Sequence, residues 1–246
     1  MEKFSMYDRM MPNQEALLRY YKEDKEGLSQ RIFEMCCLYS NVENVENEGY
    51  AFPQEFPAQQ YMGTDPITRK LQCLLLKMIN AKNVLEIGTF VGVSTIAFAK
   101  AVGDDGHVWT IEKYDKFAKL ARENFKNFGC KNITLLEGDA DVKIQDAITY
   151  CAATSSAGGG GIFDFVFLDG HKESYPEYFK LVWKFVRVGG IVMIDEGFFG
   201  GDVLNDEITT QKGAGVKIAL ECARGQDGAN PLLLPLGAGV FIVIKE

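Results

Sequence analysis

From residue 64 onward the chain alternates two patterns: short runs that are apolar on every residue, and longer stretches whose apolar residues recur at helical spacing. Phe165-Val166-Phe167-Leu168 and Ile191-Val192-Met193-Ile194 are the clearest of the short runs. A strand with one wet face alternates apolar and polar residues, whereas a strand apolar on successive residues is covered on both sides. Repeated strand–helix alternation of this kind predicts an α/β fold, a mainly parallel sheet with helices on both faces. Strands are expected at 84–88, 107–112, 133–136, 163–168, 191–194 and 240–244, with a further one at 232–234. Helices are expected from Pro66, where Asp65 supplies a carboxylate cap, and at 94–101, 115–128, 141–152, 175–186 and 213–223.

Residues 1–63 do not join this pattern. They offer helical stretches around 15–22 and 28–39 and then an aromatic and proline-rich passage, 50–61. We read them as an N-terminal helical cap, with 64–246 as the main domain. The small-residue stretch 154–161 reads as a surface loop.

Composition excludes several functions. With 47% hydrophobic and 24% charged residues, the 246-residue chain is an ordinary globular one rather than a disordered one. Its net charge of −8 and lack of a basic block argue against nucleic acid or an anionic membrane as partner. The longest apolar run, 240–244, is far short of the ~20 residues of a membrane helix. The opening Met1-Glu2-Lys3-Phe4 lacks the layout of a secretory signal, and the six cysteines are scattered with no C-x-x-C. Reduced thiols and a cytoplasmic location are expected.

In an open parallel sheet, ligands bind at the carboxyl ends of the strands. The first such end reads Glu86-Ile87-Gly88-Thr89-Phe90-Val91-Gly92-Val93-Ser94. Its G-x-x-x-G departs from the G-x-G-x-x-G of dinucleotide sites, and Glu86 would repel a pyrophosphate while suiting a ligand with an ammonium group. Glu112 ends the second strand, where a carboxylate can accept both hydroxyls of a ribose. Gly138-Asp139-Ala140 follows the third, where small residues leave room for an adenine ring. Together these elements resemble the S-adenosylmethionine (SAM) site of class I methyltransferases.

The fourth run ends on Asp169 and the fifth on Asp195-Glu196. Neighbouring strands would gather these carboxylates, and an all-oxygen cluster suits a hard divalent ion such as Mg²⁺. Asp169-Gly170-His171-Lys172 with Tyr175 and Tyr178 resembles the Asp-x-x-Lys-x-x-Tyr-x-x-Tyr signature of cation-dependent O-methyltransferases, the family of catechol and caffeoyl-CoA O-methyltransferases. Met62-Gly63-Thr64 resembles that family's SAM-clamping entry.

The resemblance implies a Rossmann-like class I methyltransferase fold, seven strands with the last antiparallel, and a homodimer. It implies SAM held by Met62, Thr64, Glu86, Gly88, Ser94, Glu112, Asp139, Ala140 and Asp169. Asp169, Asp195 and Glu196 would hold the cation, and Lys172 would be the base that activates a small aromatic hydroxyl acceptor, a catechol-like vicinal diol. Phe198 and Phe199 are expected to wall the acceptor. His171 is open between substrate contact and loop filling, and His107 is expected to begin a strand without a chemical role.

Two positions depart from the family: Glu196 stands where Asn is usual, and Ala238 replaces the Asp of Gly-Asp-Gly. These departures keep a non-catalytic SAM-binding protein as an alternative. A nicotinamide-dependent oxidoreductase is the other.

Overall fold

The computed structural model describes residues 28–42, 49–53, 63–154 and 161–246. The expected helix at 15–22, Met62 and most of the 154–161 loop lie outside these residues. The chain divides into two units, Met1–Glu46 and Asn47–Glu246, a boundary ahead of the 63/64 division that periodicity indicates. The described part of the first is helix α1 (Leu28–Tyr39) and the turn at 40–42 that follows it.

The second unit begins its regular structure with α2 (Pro66–Met78), where Asp65 Oδ1 accepts from the Ile67 and Thr68 N–H groups at 3.0 Å each. There follow β1 (Asn83–Ile87), α3 (Val93–Val102), β2 (His107–Glu112), α4 (Asp115–Asn127), β3 (Ile133–Glu137), α5 (Ala140–Thr154) and β4 (Phe163–Leu168). The chain continues through α6 (Tyr175–Trp183), β5 (Val186–Ile194), α7 (Gln211–Arg224), β6 (Ala229–Leu234) and β7 (Val240–Lys245). The seven strands lie in the order β3-β2-β1-β4-β5-β7-β6. Strands β1 to β5 run parallel, while β7 is antiparallel to both of its neighbours.

Each successive apolar residue serves a different layer. Val166 and Leu168 of β4, with Val192 and Ile194 of β5, pack into a core shared with α5, α6 and α7. Phe165 and Phe167, with Ile191 and Met193, face the opposite core, which includes Leu76 of α2 and Phe98 of α3. Burial on both faces is the physical origin of the uninterrupted hydrophobic runs.

Three boundaries differ from expectation by three residues or more. Helix α6 stops at Trp183, because Val186 already pairs with Phe163 as the start of β5. The segment Arg187-Val188-Gly189-Gly190 belongs to that strand although it is only partly buried, and its Gly189 has a φ of +73° at an irregular register. Strand β6 begins at Ala229 and includes Pro231, which an edge strand tolerates.

The order of strands reverses between β1 and β4, since the chain leaves β3 at one edge and re-enters beside β1. Ladder bonds run past the strand ends there: Asp169 N–H donates to Ile87 O at 2.9 Å and Asp195 N–H to Leu168 O at 3.0 Å. The ends of β1, β4 and β5 therefore form one rim.

Candidate active site

The turn after β1 is built on backbone that ordinary side chains avoid. Gly88 has a φ of +102°, and a Cβ there would collide with the carbonyl of Asp169. Gly92, at +87°, would collide with the Phe125 ring. These glycines let the β1–α3 turn lie against the end of β4, leaving a backbone cradle at the switch point.

Beneath the turn, Glu86 is fully buried and accepts from Ser94 Oγ at 2.5 Å, Thr110 Oγ1 at 2.6 Å and Thr95 Oγ1. Burial pushes its pKa up to about 7 against the pull of these three hydroxyls. Glu86 is not on the cavity wall. The direct contact with a cationic ligand that its sequence position favours is replaced by a supporting role under the turn.

Glu112 does reach the wall. Its carboxylate accepts from Phe90 N–H at 2.8 Å and Tyr114 N–H at 2.9 Å, so both oxygens are oriented by backbone. Burial nonetheless raises its pKa. Asp139 lines the same cavity and receives Lys113 Nζ at 2.5 Å, which lowers the Asp139 pKa.

The opposite wall is charged. Lys172 Nζ lies 2.8 Å from Asp169 Oδ1, 3.0 Å from Glu196 Oε2 and 2.8 Å from Tyr175 Oη. Burial pulls the ammonium's pKa down, but Asp169, Tyr175 and Glu196 outweigh it and hold it well above the ordinary lysine value. In this arrangement Lys172 is a cation, not the deprotonated base that proximity to a metal would produce. Burial, and then Asp169, pushes Asp195 up to about 7. Among the described residues no three His, Cys, Asp or Glu side chains are disposed to hold a metal as they stand. The donor set itself, three carboxylates with two converging on one cation, is chemically suited to a hard divalent ion.

A cavity of about 590 Å³ joins the two walls. Gly88, Glu112, Asp139, Ala140, Asp169, Lys172 and Glu196 line it, as do His171 and Tyr178. Thr64 and Ser94 are buried and do not line it, and Asp195 adjoins Asp169 without lining it. Phe199 lines the cavity; Phe198 instead packs against Gly239, its N–H donating to Ala238 O at 2.9 Å. The two side chains part because Phe199 takes a φ of +42°. His171 pairs with Glu173 at 2.5 Å, and His107 opens β2 with a bond to Thr134.

Several contributors escaped sequence reasoning. Asn124 is fully buried in α4, accepts from Ala51 N–H at 2.7 Å and donates to Val91 O at 2.8 Å, tying the glycine turn to residues 49–53. An Asn on the apolar stripe of an amphipathic helix was its only sequence signal. Asp202 accepts from the N–H and hydroxyl of both Thr209 and Thr210, which hold its carboxyl well below the usual range and fasten the Phe199 loop to the start of α7. Lys212 of α7 also reaches the cavity.

A family model described as O-methyltransferase matches residues 54–246. The catechol O-methyltransferase of Mycobacterium tuberculosis is 33% identical over 135 residues, 55% of this chain and 57% of that protein. The caffeoyl-CoA O-methyltransferase of Stellaria longipes is 28% identical over 144 residues, 58% of this chain and 57% of that protein. The fold is that of an O-methyltransferase from Bacillus cereus solved in complex with SAH, at a TM-score of 0.67 and 22% identity over 94% of this chain and 97% of that one. The chain belongs to the O-methyltransferase family, which bears out the enzyme class and the Rossmann-like methyltransferase fold expected from sequence and sets aside the oxidoreductase reading. Among the described residues no helix is long and apolar enough to cross a membrane.

Proposed function

We propose that this chain transfers a methyl group from SAM to one hydroxyl of a catechol-like vicinal diol, with the help of a divalent cation such as Mg²⁺. The observation that carries the reading is the joining of two walls by one cavity: a ribose-type carboxylate, Glu112, on one side and the Asp169–Lys172–Glu196 cluster on the other.

SAM would lie across the ends of β1, β2 and β3. The Gly88 cradle admits its backbone-close part, Glu112 takes the ribose hydroxyls, and Asp139 with Ala140 borders the adenine. Glu86 acts through Ser94, Thr95 and Thr110, keeping the turn in shape from below. Met62 and Thr64 belong to the entry segment before α2.

Asp169, Asp195 and Glu196 would hold the cation. Bound there, it supplies a template for two vicinal oxygens and acidifies the hydroxyl that reacts. Methyl transfer is an in-line displacement, so the acceptor oxygen must sit ~3 Å from the methyl carbon and along the C–S axis. Tyr178 and Phe199 border the space for an aromatic ring. Lys172 would take the hydroxyl proton once its ammonium has left the carboxylates and lost a proton to solvent, and Tyr175, fully buried beneath it, fixes the reach of its side chain. The apolar β6 edge, with Leu232 and Leu233 exposed, supports a homodimer, and the six free cysteines support a reducing, cytoplasmic setting.

The test is a methylation screen over vicinal diols with SAM, after chelation and again with Mg²⁺ restored. Chelator abolishes turnover and Mg²⁺ returns it. Undiminished turnover in chelator removes the cation from the reading, and no methylation of any diol removes the acceptor class.

A further inference from the structure

The positive charge that the carboxylate cluster needs is already supplied from within the chain. Lys172 Nζ bonds Asp169 Oδ1 at 2.8 Å and Glu196 Oε2 at 3.0 Å, with a side chain only 11% exposed. Tyr175 Oη supports the ammonium at 2.8 Å. The lysine's backbone is clamped as well, since a Cβ at Gly215 of α7 would come within 2.5 Å of Lys172 O. The ammonium therefore sits where it does by construction of the site.

Glu196 supplies the second leg of this arrangement at a conformational cost. Its φ is +57°, a left-handed conformation in which Asn is several-fold enriched and Glu is not. A strained non-glycine residue at a site is a pointer to function. Its side chain reaches Lys172 as a full charge, where a neutral amide would offer a much weaker acceptor. Asp195, the third carboxylate, accepts from the Glu196 N–H at 2.8 Å and has Asp169, Lys172 and Glu196 as charged neighbours, without a direct bond to the ammonium.

A divalent ion coordinates carboxylate oxygens at ~2.0–2.1 Å for Mg²⁺, and an ammonium left a few ångströms away would repel it. Both cations need the same oxygens. We propose that the Lys172 ammonium is the resident occupant of the carboxylate cluster, locked there by Glu196, and that a divalent cation enters by displacing it. This rests on the cation-dependent reading above. Glu196 thereby sets a threshold for metal binding, and the entering ion frees Lys172 toward the acceptor hydroxyl.

The experiment is calorimetric titration with Mg²⁺ alone, on wild type, Lys172→Met, Glu196→Asn and the double variant. A lock between two residues is non-additive: Lys172→Met lowers the Kd for Mg²⁺ by about tenfold or more beside Glu196, but by less than about threefold beside Asn. Lys172→Gln, which keeps a polar group over Tyr175, gives the same pattern if Met perturbs folding. An equal gain in both backgrounds means a general charge effect and overturns the lock, as does an unchanged or weakened affinity in Lys172→Met. No Mg²⁺ binding by any of the four overturns the cation-dependent reading itself.

Discussion

The two halves of the cavity solve the problem of buried charge in different ways. On the cofactor side, Glu86 and Glu112 are satisfied by neutral donors: three hydroxyls for one, the Phe90 and Tyr114 backbone N–H groups for the other. Left-handed positions there fall on glycines at Gly88 and Gly92, although Phe90 also carries a φ of +50°. On the acceptor side, charge meets charge, Asp169 and Glu196 on Lys172, and the left-handed positions include Glu196 and Phe199. Neutral hydrogen bonds and glycines hold the cradle together without a counter-ion. A charged cluster on strained backbone has alternatives, and exchange of one cation for another is among them.

The largest expected effect separates the halves. Lys172→Ala lowers kcat by ~10²–10⁴, the usual contribution of a general base, while the SAM dissociation constant changes by less than about threefold. Equal loss of SAM affinity, measured by calorimetry, would mean that the two walls are not independent. Gly88→Ala attacks the other side. A methyl group at a φ of +102° directed at the Asp169 carbonyl destabilises the fold by ~3 kcal/mol and weakens SAM, both readable in a thermal shift with and without SAM. An unchanged melting temperature would show that the cradle is not rigid.

The most gradual effect, spread over more than two pH units, concerns Glu86. Its folded pKa of about 7 lies above the ordinary value of 4.5, so between those values the folded state holds a proton that the unfolded state has lost. Stability from this group is therefore greatest below pH ~4.5 and falls as pH rises to ~7, by a total of about 3 kcal/mol. Glu86→Gln cannot ionise and flattens that fall in denaturant titrations across the window. Asp195, also raised to about 7, contributes to the slope that remains, as do Glu112 and Asp169, whose pKa values burial also raises. An unaltered slope in the Gln variant would assign the proton elsewhere.

Much of this was legible beforehand because it depends on local pattern. Unbroken apolar runs report burial on both faces, and the structure divides Phe165 and Phe167 from Val166 and Leu168 between two cores. Strand ends could be located from those runs, which put Glu112, Asp169 and Asp195 at one rim. Sequence adjacency makes Phe198 and Phe199 a single expected wall, but only Phe199 faces the cavity, since a single positive φ turns adjacent side chains apart. Asn124 and Asp202 act on partners 73 and 7 residues away, bonds that periodicity does not encode.

Residue order alone determined the sheet, the layers that cover it and the acidic residues on its carboxyl edge, because each follows from hydrophobic period and the nearest few neighbours. Only the folded chain decided that Glu86 supports rather than lines the cavity, and that Lys172 rests between Asp169 and Glu196. Those outcomes depend on side-chain direction and on the competition of several charges for one small volume, quantities that exist only once distant segments have met.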